Sequence, residues 1–282
     1  MLGNAHGRNN LLSFLALRIR ENSLLFVPTQ SGGMEIIMNN DIIYGRNPVI
    51  EALETNHTMD KILIQDGLRH SQIGYIRNLA KERGIVYQFV DKRKLDKMAE
   101  GENHQGVVAL AAAQSYTELE ELISRAKNSD RQPLLVIADG ITDPHNLGSI
   151  IRTANAAGAH GVIIPKNRSV SLNSVVAKVS AGAIEHTPVA RVTNIAQTIE
   201  VLKKEGFWIV GTALEGTQLC YECDMTGAMG IVIGSEGEGM SRIVREHCDF
   251  LVKIPMLGKT ESLNASVAAG VLLYEAVRQR IK

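Results

Sequence analysis

Cysteine is scarce in this chain: three occur in 282 residues, at positions 220, 223 and 248. That is too few for the disulfide framework of a small secreted domain, and it suits a reducing cytoplasm. Cys220-Tyr221-Glu222-Cys223 has the spacing of half a zinc site, but no second pair follows. His247 and Cys248 are neighbours and form no knuckle, so no metal is expected. Charge of one sign is not in excess either, since Lys+Arg and Asp+Glu both total 30. This excludes a uniformly basic nucleic-acid-binding surface and leaves room only for local basic faces. Aromatics make up 4% of the chain, too few for a dense base-stacking platform. No apolar run is long enough to span a membrane. The most apolar early stretch, Leu11 to Val27, is broken by Arg18, Arg20 and Glu21. Arg8 ahead of Leu11–Leu17 imitates a signal peptide, yet no small-residue cleavage site follows. Residues 1–40 are therefore read as a leader or poorly ordered extension outside the fold.

What is present is enough apolar sequence, 45%, for a sizeable core without staples. From Ile42 onward short β-branched runs alternate with helical stretches. Asp60–Ile64, Val86–Val90 and Val107–Ala111 read as strands. Between them Ser71–Arg83 reads as a helix closed by Gly84. A second helix is expected to start at Arg46-Asn47-Pro48, with Asn47 as its cap. These elements make a small α/β unit over residues 41–112. The polar stretch 113–132 reads as a linker carrying a short helix. The second unit, 133–282, opens with the continuous apolar run Leu134–Ala138, as a strand covered on both faces requires. Further runs are Gly161–Ile164, Trp208–Thr212, Gly230–Gly234 and Phe250–Ile254, with helices between most of them. A last helix over Asn264–Arg280 puts Val267, Val271, Tyr274 and Val277 on one stripe. Strands alternating with helices predict a doubly wound α/β domain that binds ligands at the carboxyl ends of its strands.

Three segments carry chemistry. After strand Leu134–Ala138, a polar turn leads into Asn146-Leu-Gly-Ser-Ile-Ile-Arg152-Thr-Ala154. A helix start can meet an anion there, or Asn146 can merely cap the helix while Arg152 is a surface charge. The turn contains no Gly-x-Gly-x-x-Gly, which excludes a dinucleotide fingerprint and with it a nicotinamide-dependent oxidoreductase. The second segment, Gly234-Ser-Glu236-Gly-Glu-Gly239, puts three glycines in six residues directly after a buried strand. Something must approach that backbone closely, and the two carboxylates argue against a phosphate. In the third, small polar residues at 262, 264 and 266 open a helix of small residues; Ser262 or Asn264 alone would be an ordinary cap.

In this order the three segments resemble the motifs of the SpoU/TrmH RNA ribose 2′-O-methyltransferases of the SPOUT superfamily, over residues 131–282. Residues 41–112, including Asn103-His-Gln-Gly-Val-Val108, are similar to the kink-turn-binding ribosomal-protein domain that precedes the catalytic domain in one subgroup. That subgroup includes bacterial 23S rRNA guanosine 2′-O-methyltransferases. The resemblance implies a Rossmann-like parallel sheet with a carboxy-terminal trefoil knot, a homodimer, and S-adenosylmethionine as methyl donor. It implies that Arg152 is catalytic, surrounded by Asn146, Glu236, Ser262 and Asn264. It also implies a cofactor pocket formed by Thr212, Leu214, Gly234, Ile254 and Leu263. Glu236 would order Asn146 or Arg152, and Ser262 and Asn264 would hold the loop and the substrate.

A ribose hydroxyl is a poor nucleophile until it loses its proton, and an arginine side chain holds its own proton in nearly all protein settings. Two roles therefore stand for Arg152: a base aided by an RNA phosphate, or a cation that stabilises the developing alkoxide. RNA contacts would fall to Arg46, the run Lys92-Arg93-Lys94, and Lys166-Asn167-Arg168. With few aromatics in the small domain, shape and phosphate contacts are expected rather than base stacking. The alternatives are a tRNA ribose methyltransferase, which the small domain argues against, and a non-catalytic RNA-binding scaffold, which would show a broken motif.

Overall fold

The structure is a computed structural model that describes residues 25–28, 34–37, 42–55, 57–99 and 101–281. Most of the segment read as a leader lies outside the described residues. Within it, β1 (Leu25–Pro28) and β2 (Met34–Ile37) pair antiparallel.

The small unit follows as β3 (Ile42–Tyr44), α1 (Arg46–Glu54), β4 (Met59–Gln65), α2 (Ser71–Glu82), β5 (Val86–Val90), α3 (Lys92–Ala99) and β6 (Val107–Ala111). Its sheet has the order β3-β6-β4-β5, parallel between β4 and β5 and antiparallel elsewhere. Period-two alternation gives each face its own cover. Ile62 and Ile64 are buried with Val49 and Leu53 of α1 and Ile73 and Ile76 of α2. On the opposite face Leu63, Val90 and Val108 pack with Leu95 of α3. One expectation fails here: the cap of α1 is Gly45, not Asn47. A φ of 94° at Gly45 suits glycine and lets the chain turn straight out of β3. Asn47 already lies within the helix, where its Oδ1 accepts a 2.6 Å hydrogen bond from Gln72 Nε2. Gly84, with φ of 65°, ends α2 as its spacing predicts.

The large unit comprises α4 (Leu119–Lys127), β7 (Leu134–Asp139), α5 (Pro144–Ala156), β8 (Gly161–Pro165), α6 (Ser174–Val179), β9 (Val189–Val192), α7 (Ile195–Lys204), β10 (Trp208–Thr212), β11 (Gln218–Leu219), β12 (Met229–Gly234), α8 (Arg242–His247), β13 (Phe250–Lys253) and α9 (Ala265–Arg280). Its seven strands are all parallel, in the order β11-β13-β10-β12-β7-β8-β9. Both faces are covered, which is why β7 reads as unbroken apolar sequence. Leu134, Val136 and Ala138 pack with Ile150 and Ile151 of α5 and Leu272 and Leu273 of α9. Leu135 and Ile137 pack with Leu122 of α4 and Ile199 and Leu202 of α7. Successive strands run outward from β7 through β8 to β9, and the chain then returns to build the other half from β10 onward. The order reverses between β7 and β12, and the crevice at the carboxyl ends of these two strands is where such sheets hold ligands.

The two units are pinned together. Ala113 N–H donates to Leu172 O at 2.5 Å and Thr117 N–H to Val189 O at 2.9 Å. Arg191 on β9 donates to both the carboxylate and the carbonyl of Asp60 on β4, and its guanidinium stands 5.0 Å from the centre of the Tyr116 ring. Both partners of this ion pair are about one-tenth exposed, so it is a desolvated anchor rather than a loose surface contact.

Candidate active site

The first turn of α5 is organised by Asp143, whose carboxylate accepts from His145 N–H at 2.7 Å, with Pro144 at the first helical position. The cap is thus Asp143, and Asn146 is released from that duty. Its side chain is buried, and its amide Nδ2 donates to Glu236 Oε1 at 2.9 Å. Glu236 stands on the loop after β12. Ser235 and Gly239 close this loop on itself by exchanging backbone hydrogen bonds of 3.0 and 2.9 Å. An added Cβ at Gly234 would lie 2.2 Å from Gly239 C and Met240 N, so only glycine allows the loop to fold back so tightly. Its far end is tied to β7, because Ser241 N–H donates to Asp139 Oδ2 at 2.8 Å.

Asn264 completes the cluster. It is the cap of α9, its Oδ1 accepting from Ser266 N–H at 2.9 Å and Val267 N–H at 3.3 Å. Its Nδ2 donates to Asn146 Oδ1 at 2.8 Å and also to Glu236 Oε1. Asn264 is therefore both an ordinary cap and a joint between the three segments. Residues 90 and 118 positions apart in sequence meet in one closed hydrogen-bond cluster.

Beside this cluster lies a cavity of about 550 Å³, walled by Thr212, Leu214, Gly234, Ile254, Ser262 and Leu263, with Glu236 belonging to both. Sequence reading missed further wall residues, among them Glu215, Met240 and Arg245. Arg245 on α8 donates to Glu215 across the cavity rim. The backbone N–H of Glu215 and then the Arg245 guanidinium hold its carboxyl below the usual carboxylate range. A pairing thirty residues apart, between a loop and a short helix, leaves no periodic signal in the sequence. The volume falls within the ordinary range for small-molecule sites. The wall fits S-adenosylmethionine. Apolar Leu214, Ile254, Met240 and Leu263 suit a purine and the methylene groups of a methionine chain, while Arg245 carries a buried Nε with no partner among the described residues.

Arg152 is placed elsewhere. It is exposed on α5, unpaired among the described residues, and enters neither the cavity wall nor the amide–carboxylate cluster. Glu236 orders Asn146 but makes no bond to Arg152. Thr153 faces Gly270 on α9 and Gly148 faces Val176 and Val179 on α6, so Arg152, one turn after Gly148, stands on the outer surface of α5 between those two sides. The α9 stripe expected from spacing exists but points outward. Val267, Val271 and Tyr274 are 50%, 38% and 51% exposed, while Ala269, Leu272, Leu273 and Ala276 supply the buried face.

Thiol chemistry has no footing here, because burial pushes Cys223 up to about 11 and Cys248 up to about 12, far from a thiolate at neutral pH. Among the described residues no cluster of His, Cys, Asp or Glu could hold a metal ion. No helix among them is long and apolar enough to cross a membrane.

Comparison with known proteins gives a consistent result. Residues 133–274 match the SpoU rRNA Methylase family, and residues 42–117 match the domain described as RNA 2′-O ribose methyltransferase substrate binding. A TrmH family protein of Bacillus subtilis, YacO, named for tRNA/rRNA methylation, is 50% identical over 241 residues, covering 86% of this chain and 96% of that protein. The SpoU methyltransferase AviRb of Streptomyces viridochromogenes, solved with AdoMet, is 28% identical with a TM-score of 0.54. That match covers 85% of this chain and 90% of AviRb. An AdoMet-bound rRNA methyltransferase of Sinorhizobium meliloti is 25% identical with a TM-score of 0.55, over 86% and 88% of the two chains.

Proposed function

Since this chain belongs to the SpoU rRNA methylase family, we propose that it methylates a ribose 2′-hydroxyl of structured RNA, with a guanosine of 23S rRNA as the acceptor. It is an RNA methyltransferase of the SpoU/TrmH family that uses S-adenosylmethionine. The observation that carries the finer reading is the closure of Asn146, Glu236 and Asn264 into one hydrogen-bond cluster on the cavity edge. Such closure fixes three segments at once and spares reorganisation when an acceptor docks. The rRNA assignment is supported by the substrate-binding match over 42–117 and by the likeness to the rRNA methyltransferase of Sinorhizobium meliloti. Action on cellular RNA goes with the cytoplasm.

S-adenosylmethionine, when bound, supplies a methyl group already activated as a sulfonium. The loop from Gly234, the strand end at Ile254 and the turn at Leu263 would hold it, together with Thr212 and Leu214 of the same wall. What remains for the chain is alignment of the acceptor oxygen, which can supply roughly 7–11 kcal/mol of a barrier, and management of its proton. Arg152 is exposed and has no carboxylate partner. We assign it the electrostatic role, a guanidinium meeting the alkoxide as its charge develops.

The exposed Val267, Val271 and Tyr274 stripe of α9 supports the homodimer. The knotted path expected of the family is supported by β13, which enters between β10 and β11 after both are laid down. Val271→Glu is expected to give a monomer in sedimentation velocity with its melting temperature nearly unchanged. A dimer of wild-type mass would remove α9 as the interface.

Transfer of tritiated methyl to unmodified 23S rRNA and to total tRNA tests the function. We expect label in 23S rRNA at one position that resists alkaline cleavage. Label confined to tRNA would overturn the substrate assignment, and alkali-sensitive label would overturn the ribose.

A further inference from the structure

One exposed cluster of the small unit has no part in this chemistry. β5 is the edge strand of its sheet, paired among the described residues with β4 alone. Tyr87 and Phe89 sit opposite Ile62 and Ile64 and so lie on the side that α2 covers, at its outer margin. Edge strands are normally blunted by charge or proline. Here Phe89 is 44% exposed, and Tyr87 is half-buried. The two rings meet edge to face, with centroids 6.1 Å apart. The Arg77 guanidinium of α2 stands 5.7 Å from one ring centre and 5.8 Å from the other, and its Nε is buried without a partner. Lys81 lies exposed one turn further along α2. Lys92, Arg93 and Lys94 follow the strand directly after Asp91, all exposed. Opposing them nearby are Glu82 and Asp91, and the Asp91 carboxylate is already engaged by Arg93 N–H at 2.8 Å.

A pair of rings, a cation above them and a basic run just past the end of the strand, where α3 starts, are the parts that bind unpaired nucleic acid: a plane for the base and positive charge for its phosphates. We propose that Tyr87, Phe89 and Arg77 form a stacking site for one unpaired nucleobase of the RNA substrate, with Lys92, Arg93 and Lys94 taking the flanking phosphates. The site rests on the RNA reading above and revises the expectation that the small domain contacts RNA by shape and phosphate alone. The scarcity of aromatics concealed it, because one pair of rings suffices where α2 and β5 bring them together. A protein strand adding to the β5 edge would use backbone hydrogen bonds and would have no need of a guanidinium over the rings.

The test is a fluorescence titration of the full chain with an RNA hairpin carrying 2-aminopurine in its unpaired loop. Phe89→Leu keeps apolar bulk and removes the ring. It should weaken binding roughly tenfold and abolish most of the stacking quench, with S-adenosylhomocysteine affinity unchanged. Lys92→Gln should keep the quench and lower the salt slope by about one. Arg77→Met preserves the stem that packs on the rings. If its only effect is a lower melting temperature, Arg77 is glue between α2 and β5, and the site is overturned. Wild-type affinity and quench in Phe89→Leu and in Tyr87→Leu would overturn it equally. Tritium transfer to RNA by wild type, measured on the same preparation, separates the two failures: its absence sinks the RNA reading, its presence with unaffected variants sinks this site alone.

Discussion

Arg152→Ala is expected to lower the single-turnover rate of methyl transfer by roughly 10²–10⁴-fold, with S-adenosylhomocysteine affinity and melting temperature close to wild type. The expectation follows from where the side chain stands. Arg152 is exposed, has no hydrogen-bond partner among the described residues and lies outside the cavity wall, so its removal breaks nothing in the fold. Whatever falls must fall through the acceptor. Arg152→Lys restores a positive charge but not the planar fork, so it should recover part of the rate and not all of it. Near-full turnover in the lysine variant with unchanged RNA affinity would count against both the base and the electrostatic role. A large loss of cofactor affinity in the alanine variant would instead mean that Arg152 reaches the cavity and that its placement on the outer flank misleads.

The strands of the large sheet were legible because a strand buried on both faces must be apolar throughout, and Leu134–Ala138 and Gly230–Gly234 leave little else to be. β9 and β11 escaped for the opposite reason. β9 is four residues long and carries Arg191, which turns to Asp60 in the other unit, and β11 has only two residues. Periodicity gave the α9 stripe but not its direction, since Val267, Val271 and Tyr274 share one face whether that face meets the core or a second subunit. Spacing leaves Asn146 open as cap or site residue of α5, because Asp143 and Asn146 are two candidates three residues apart and only burial tells them apart. Asn146, Glu236 and Asn264 came from family pattern rather than spacing. No local rule joins residues about a hundred positions apart, and their mutual bonds exist only once β7 and β12 lie side by side.

That dependence on one tight loop makes Gly234→Ala the sharpest structural test of the cofactor site. The single added carbon would meet Gly239 C and Met240 N at 2.2 Å and Gly239 O at 2.6 Å, all main-chain atoms that no rotamer change can move aside. Relief requires opening the paired Ser235–Gly239 hydrogen bonds, and Glu236 then leaves Asn146 and Asn264. Overpacking of this kind costs about 1–3 kcal/mol in stability. The larger effect should be functional: displacement of a site wall by about 1 Å can cost on the order of 10²-fold, read here as affinity for S-adenosylhomocysteine by calorimetry. Gly258→Ala is the control, because a Cβ there meets nothing within 4 Å and Gly258 lies outside the cavity wall. It should bind within about twofold of wild type, a spread near the ±0.5 kcal/mol usual for surface changes. If both variants bind normally, the loop is not the cofactor wall. If both fail alike, the site responds to any loss of glycine flexibility around it, and the argument from close packing at Gly234 is wrong. A loss confined to Gly234→Ala would show that steric closure of this turn holds the cavity and the polar cluster in register.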